Sequence, residues 1–197
     1  MECYNHPIFV WGGGGKCCSM IIWIIKKLIN PNYTVDNPID EFFTAHGQPL
    51  NPHWFGEIPL DDYLNKHHVE KIYHCEPLHV TWGKTSNYKN IVVIATTDEE
   101  MKQVAIFKKY KIKEFQNQDL KNSYHVIKKD YYVDKQLDGA LNITVSDIFT
   151  KEIMPTIEHL VNYLNLPQKD YKKIVDVHKI WYNFNYQLFI SHIQELS

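Results

Sequence analysis

Residues 7–29 read PIFVWGGGGKCCSMIIWIIKKLI, which is an apolar run, four glycines, a lysine, two cysteines and a second apolar run. The first run, Ile8 to Trp11, is β-branched and aromatic and predicts a buried strand. The second run, Met20 to Ile29, has the length and composition of a helix. A strand, a glycine turn and a helix in this order are typical of the units that build a parallel α/β sheet.

The glycine turn predicts an anion-binding site. Glycines allow positive φ angles and close approach of the backbone to a ligand, and the first amides of the following helix point toward a bound anion. Lys16 directly follows the glycines and adds a positive charge. Four consecutive glycines also lose much conformational entropy on folding, and a turn without a ligand would have no need of residues that carry this cost. The alternative is a glycine-rich turn that binds nothing.

The amino-acid sequence of this turn differs from the two standard phosphate-binding patterns. The Walker pattern requires a glycine six residues before the lysine and Ser or Thr after it, and this chain has Val10 and Cys17 there. In the dinucleotide pattern the third glycine would fall on Cys17 or Cys18. The turn is therefore a phosphate-loop candidate of non-standard form.

Composition limits the class of protein. The 197 residues suffice for one domain, 1–197, and a net charge of -2 with no arginine gives no electrostatic reason to expect a nucleic-acid partner. The four cysteines lack zinc-type spacing, which favours reduced thiols in the cytoplasm. We find no signal peptide pattern, and Lys26 and Lys27 interrupt the apolar run, so we expect no membrane span and no membrane partner.

The remaining chain alternates strands and helices. Strands are predicted at 69–74, 90–96 and 140–145, and helices at 61–68, 98–110, 120–129 and 151–164, with a last helix from Pro167. Thr97 and Glu100 have the spacing of a capping box, and residues 30–59 predict a binding loop or lid. We therefore predict a three-layer α/β fold with a mainly parallel sheet, whose ligand binds where strands end at 12–19, 74–76 and 96–98.

With these segments placed, the chain resembles a P-loop sulfotransferase, in the style of the small sulfotransferase-like proteins of marine bacteria and phages. Four stretches carry the resemblance: 8–29, Lys71-Ile-Tyr-His-Cys-Glu-Pro77, 91–109 and 143–167. It implies the P-loop fold of nucleoside triphosphate hydrolases and sulfuryl transfer from 3′-phosphoadenosine-5′-phosphosulfate to a hydroxyl or amine of a small acceptor. The implied catalytic residues are Lys16 and His74, the latter as general base. The implied cofactor-binding residues are Gly12, Gly13, Gly14, Gly15, Lys16, Cys17, Cys18, Ser19, Thr96 and Thr97.

The motifs also depart from that family. Cys17 and Cys18 replace the family's hydroxyl residues in the turn. The strand ends in Ala95, Thr96 and Thr97 without the family's arginine for the 3′-phosphate, and Val104 or Ala105 stands where the family has a serine. Two alternatives therefore stay open, a nucleotide-dependent kinase of the same fold and a non-catalytic relative that binds a nucleotide or a protein. The histidines match no standard metal set, and no metal site is predicted. His178 and His192 lie on the apolar stripe of the last helix, where a core or groove position is expected.

Overall fold

The computed structural model describes residues 7–12, 17–33, 48–49, 72–75, 87–111, 116–131 and 139–196. The described strands are β1 (Ile8–Trp11), β2 (Gln48–Pro49), β3 (Ile72–Cys75), β4 (Lys89–Ile94) and β5 (Leu141–Thr144). The described helices are α1 (Cys18–Ile29), α2 (Asp98–Lys111), α3 (Leu120–Tyr131), α4 (Val145–Ile148), α5 (Met154–Leu164) and α6 (Lys172–His192), followed by a 3-10 helix at Ile193–Leu196.

The strands form one parallel sheet in the order β2-β3-β1-β4-β5. Four strands have four to six residues, and β2 adds two more residues at one edge. β1 lies in the centre, with Ile8 opposite Ile72 on one side and opposite Lys89 on the other. The predicted α/β class and parallel sheet are thus confirmed. The order also places the ends of β3 and β4 on either side of the end of β1.

Both faces of the sheet are buried. Ile8 and Val10 belong to a large apolar cluster that includes α1, α2, α5 and α6. Phe9 and Trp11 point to the opposite side and pack with Tyr73 and other strand residues in a smaller cluster. This alternation along β1 follows from the two-residue period of a strand. Burial of both faces agrees with the continuous apolar sequences of the strands and is consistent with a three-layer arrangement.

Helix α1 is buried almost all round, which explains its nearly uninterrupted apolar sequence. Even the two lysines of its last turn are buried. Lys27 Nζ donates to the carbonyl oxygen of Tyr33, and Lys26 Nζ lies 5.2 Å from the centre of the Tyr33 ring. The aliphatic stems therefore contribute to the core while each ammonium group keeps a partner.

Two predicted helix boundaries are wrong. The last helix begins at Lys172 and not at Pro167, because the Asp170 side chain accepts a hydrogen bond from Lys172 N at 2.9 Å and satisfies an amide of the first turn. The helix predicted at 151–164 begins at Met154, and the sequence patterns do not predict the short helix α4 at Val145–Ile148. Thr144 and Asp147 form a capping box that starts this helix. The predicted helix at 61–68 and most of the predicted lid at 30–59 lie outside the described residues.

No helix in the described part of the chain is long and apolar enough to cross a membrane.

Candidate functional site

The candidate site lies at the carboxyl end of β1. Because β1 is flanked by parallel β3 and β4, the ends of three strands meet at this edge, as ligand sites in open α/β sheets require. Of the predicted turn residues, Gly12, Cys17, Cys18 and Ser19 are described. Gly13, Gly14, Gly15 and Lys16 lie outside the described residues.

Gly12 occupies a position where a side chain has no room. A Cβ atom on residue 12 would overlap Cys18 Sγ and would lie 3.4 Å from Val93 Cβ. The amide of Gly12 donates to the carbonyl oxygen of Cys75 at 3.0 Å, which extends the β1–β3 pairing by one residue. Glycine is therefore needed here because the start of α1 approaches the end of β1 so closely.

The start of α1 has features of an anion-binding helix terminus. Cys17 precedes the helix with φ 62° and ψ 18°, a left-handed conformation that is rare for residues other than glycine. The helix has no side-chain cap hydrogen bond and no acidic residue in its first turn, which contains Cys18 and Ser19. Its positive end therefore carries no carboxylate of its own. Left-handed backbone in a non-glycine residue occurs preferentially at binding sites.

His74, the predicted general base, lies beside Gly12, the first glycine after β1. Its ring nitrogen Nε2 is 3.0 Å from the carbonyl oxygen of Gly12, and the side chain is half-buried. A carbonyl oxygen only accepts, so Nε2 carries the proton and donates it to this bond. In the neutral ring, Nδ1 is then the nitrogen with the lone pair that a general base needs. The parallel register of Val10 and His74 brings the two predicted features together.

The thiol of Cys75, next to His74, has low reactivity. Its side chain is 2% exposed, and burial, followed by the nearby Cys18, raises the pKa of the thiol. A protonated buried thiol is a poor nucleophile. Cys75 therefore has a packing role in the smaller apolar cluster, with Phe9 and Trp11 of β1.

Thr96 and Thr97, the predicted cofactor residues after β4, are engaged by a carboxylate of the chain itself. Glu100 Oε2 accepts from Thr96 N at 2.6 Å, from Thr96 Oγ1 at 2.9 Å and from Thr97 N at 3.0 Å. Thr97 Oγ1 in turn accepts from Glu100 N at 3.2 Å. The predicted capping box is therefore present, and both hydroxyl groups take part in the start of α2.

Glu100 also makes a contact that the sequence pattern does not predict. Its second oxygen, Oε1, accepts from Ser146 N at 2.8 Å, 46 positions further along the chain. One buried carboxylate thus links the residues after β4 to the first turn of α4. The Thr-x-x-Glu spacing identifies the local half of this arrangement, whereas the link to Ser146 depends on the pairing of β4 with β5.

The two histidines of the last helix differ. His178 is 1% exposed and Nε2 donates to the carbonyl oxygen of Ile148 at 2.8 Å, so the predicted core position is confirmed. His192 is partly exposed; its Nδ1 is 2.5 Å from Glu195 Oε1, and its ring stacks on Tyr110. Among the described residues, no three His, Cys, Asp or Glu side chains are grouped as metal ligands.

The chain matches no protein-family model, and neither a curated protein nor a solved structure is significantly similar to it. Its function is therefore argued from the site.

Proposed function

We propose that this chain is a nucleotide-dependent transferase of the P-loop, sulfotransferase-like type. The glycine turn would hold the phosphate end of the donor nucleotide, and His74 would act on a small acceptor. The observation that carries the proposal is the 3.0 Å contact between His74 Nε2 and Gly12 O, because His74 is the predicted base and Gly12 is the first residue of the predicted phosphate loop.

Different residues would transfer the proton and stabilise the leaving group. His74 Nδ1 would accept the proton of the acceptor hydroxyl or amine, whose oxygen or nitrogen then bonds to the transferred group. The bond between that group and the nucleotide oxygen breaks, and Lys16 with the first amides of α1 would stabilise the charge left there. The donor supplies an activated sulfuryl or phosphoryl group. Cys17, Cys18 and Cys75 form no disulfide among the described residues, which would suit a cytoplasmic setting, where thiols stay reduced.

The donor implied by the resemblance, 3′-phosphoadenosine-5′-phosphosulfate, fits this chain at one end only. The 5′ end would meet Gly12 and a helix start without a carboxylate. The 3′-phosphate would meet the amides of Thr96 and Thr97, which already bind the carboxylate of Glu100. This observation favours a second candidate function, a nucleotide-dependent kinase of the same fold, since ATP has no 3′-phosphate.

Thermal stabilisation tests the proposal. We would compare adenosine 3′,5′-bisphosphate, ATP with and without magnesium, and sulfate, each at about 100 times its Kd, where binding raises the melting temperature by roughly 5 to 10 °C. Lys16→Ala should abolish the shift, and Lys151→Ala, an exposed lysine far along the chain, should retain it. A shift with the bisphosphate that needs no magnesium supports sulfuryl transfer, and a shift only with magnesium and ATP supports the kinase.

His74→Gln tests the second half of the proposal. A glutamine amide can still donate to Gly12 O but cannot act as a base at neutral pH. The nucleotide-induced shift should therefore persist, while the transfer rate falls by about 10²- to 10⁴-fold. An unchanged transfer rate would remove His74 from the reaction, and no shift with any nucleotide would refute the whole proposal.

A further inference from the structure

Glu100 is an acidic side chain in a position that suits a bound anion. It is 2% exposed, and its carboxylate accepts hydrogen bonds from Thr96 N, Thr96 Oγ1, Thr97 N and Ser146 N. Three donors belong to Thr96 and Thr97 at the end of β4, and the fourth is the amide of Ser146 after β5. The donors are backbone amides and a hydroxyl at the carboxyl edge of a parallel sheet, the groups that commonly bind phosphate or carboxylate ligands.

The charge of Glu100 is satisfied inside the protein. Burial by itself would raise the pKa of this carboxyl, but the hydrogen bonds from Ser146, Thr96 and Thr97 outweigh burial, and the pKa lies below its usual value. Glu100 is therefore ionised at neutral pH. A second anion could reach the same donors only by displacing this buried carboxylate, whose desolvation those donors offset.

We propose that Glu100 is a specificity-determining residue that fills the anion position at the ends of β4 and β5. The resemblance implies that a 3′-phosphate would bind at Thr96 and Thr97, whose amides Glu100 already occupies. The nucleotide of the proposed function is therefore one whose negative charge is confined to its 5′ end. Nucleotides with a 3′-phosphate gain nothing at this edge and meet the like charge of Glu100. This inference rests on the proposed function, because it assigns the class of nucleotide that the same site accepts.

The wild-type protein gives the first test, by titration calorimetry with adenosine 5′-phosphate and adenosine 3′,5′-bisphosphate. We expect the two Kd values to agree within about threefold, or the monophosphate to bind more tightly. A bisphosphate that binds about tenfold more tightly or better would overturn the inference, since a charge-assisted contact to the 3′-phosphate is worth at least that much. This comparison needs no variant and does not depend on how Glu100 variants fold.

Glu100→Ala gives the second test, with Glu99→Ala as the control because Glu99 is exposed and adjacent. Removing the carboxylate should open the anion position and improve bisphosphate affinity by about tenfold, with little change for the monophosphate. The control should leave both affinities unchanged. If Glu100→Ala leaves the preference as in the wild type, Glu100 does not determine specificity.

Formate separates this inference from the proposed function. The Glu100→Ala protein should melt at a lower temperature than the wild type, and formate should restore part of the loss in a saturable way that equal concentrations of chloride do not reproduce. The Glu99→Ala protein should show no such difference. If no nucleotide binds the wild type, the proposed function fails, but formate rescue would still support an internal anion position. Absence of rescue would contradict that position whether or not nucleotides bind.

Discussion

At the scale of single residues, Gly12 joins β1 to the site. A side chain at this position is excluded by Cys18 Sγ, which occupies the space that a Cβ atom would need, and by Val93 on the neighbouring strand. The steric limit is thus set by one atom of α1 and by the sheet. Because Cys18 is itself buried, its thiol has little space to move aside.

Gly12→Ala should lower the free energy of unfolding by about 1 to 3 kcal/mol, since the added methyl group overpacks the contact with Cys18. In a Cys18→Ala background the cost should shrink by about 1 kcal/mol or more, because Sγ is absent. Urea denaturation of the four proteins measures this coupling. Gly139→Ala is the control: Gly139 has φ 77° and open space around it, so its cost should not depend on Cys18.

His178 should make stability depend on pH. Burial lowers the pKa of His178 below its ordinary value of 6.5, although the hydrogen bond to Ile148 O acts in the opposite direction. Nδ1 is buried and has no hydrogen-bond partner among the described residues, so a proton there is unfavourable. As the pH falls, the unfolded chain therefore binds a proton at His178 before the folded chain does. The contribution of neutral His178 to stability should be present above pH 6.5 and should fall as the pH decreases through the lower pKa of the folded state.

The measurement is the urea midpoint between about pH 7.5 and about pH 5, a range that spans the ordinary histidine pKa. His178→Gln, which can still donate to Ile148 O, should lose less stability over this range than the wild type. His159→Gln, an exposed histidine on α5, should follow the wild type. If His178→Gln and the wild type lose stability equally, another group causes the acid sensitivity.

At the scale of elements, the beginning of α1 carries the least favourable backbone conformation near the site. Cys17 has φ 62°, where an L-residue with a Cβ is disfavoured and glycine is not. The chain has glycine at positions 12–15 but not at this one. A left-handed residue directly before the helix fixes the direction in which the first amides of α1 point.

Cys17→Gly should be more stable than Cys17→Ala by about 1 kcal/mol, because both variants lose the thiol and only glycine relieves the positive φ. The same pair at Lys179, an exposed position within α6, should show the reverse order by about 1 kcal/mol. Thermal or urea denaturation of the four variants measures both differences. An alanine at 17 that is at least as stable as glycine would mean that the left-handed conformation is not retained in solution.

Local patterns predicted the elements well. The apolar runs at 8–11 and 91–94 are central strands, and the Thr97 to Glu100 spacing is a capping box, since each depends on neighbours a few residues apart. Prediction failed at the start of α6, where Asp170 and not Pro167 sets the boundary. Contacts that join separate elements, such as Glu100 with Ser146, depend on strand order, which single-sequence periodicity does not contain.

The sequence predicted only those parts of the candidate site that depend on residues close together in the chain. The glycine turn and the strand that ends near His74 are visible as local patterns, and a parallel sheet brings strand ends to one edge. The contact between His74 and Gly12 requires β3 to lie beside β1, which only the structure provides. The occupation of the Thr96 and Thr97 amides by Glu100 changes the class of ligand expected there, and local spacing alone shows only a helix cap.

At the scale of the whole molecule, β1 is the most enclosed strand of the described sheet. It pairs with β3 on one side and β4 on the other, and all four of its side chains are buried. Opening β1 therefore requires the separation of two strand pairs and the exposure of both apolar clusters. Such regions open only when the domain unfolds as a whole.

Native-state hydrogen exchange should show this hierarchy. The amides of Phe9, Val10 and Trp11 should have opening free energies close to that of global unfolding. Helix α3, whose exposed residues include Lys121, Asn122 and Val126, should exchange through smaller local openings. Protection factors measured by NMR test this, and exchange of β1 that is faster than exchange of α3 would contradict the central placement of β1.

The central place of β1 also affects how the protein is made. The contact between Gly12 and His74 spans 62 positions, and the one between Trp11 and Asn90 spans 79. Ribosomes add about 5 to 20 residues per second, so β1 waits roughly 3 to 15 seconds for its two partner strands to be synthesised. During this interval the apolar stretch from β1 through α1 has no sheet to join. The nascent chain is therefore expected to depend on chaperones, and slower translation between β1 and β4 should lower the yield of folded protein.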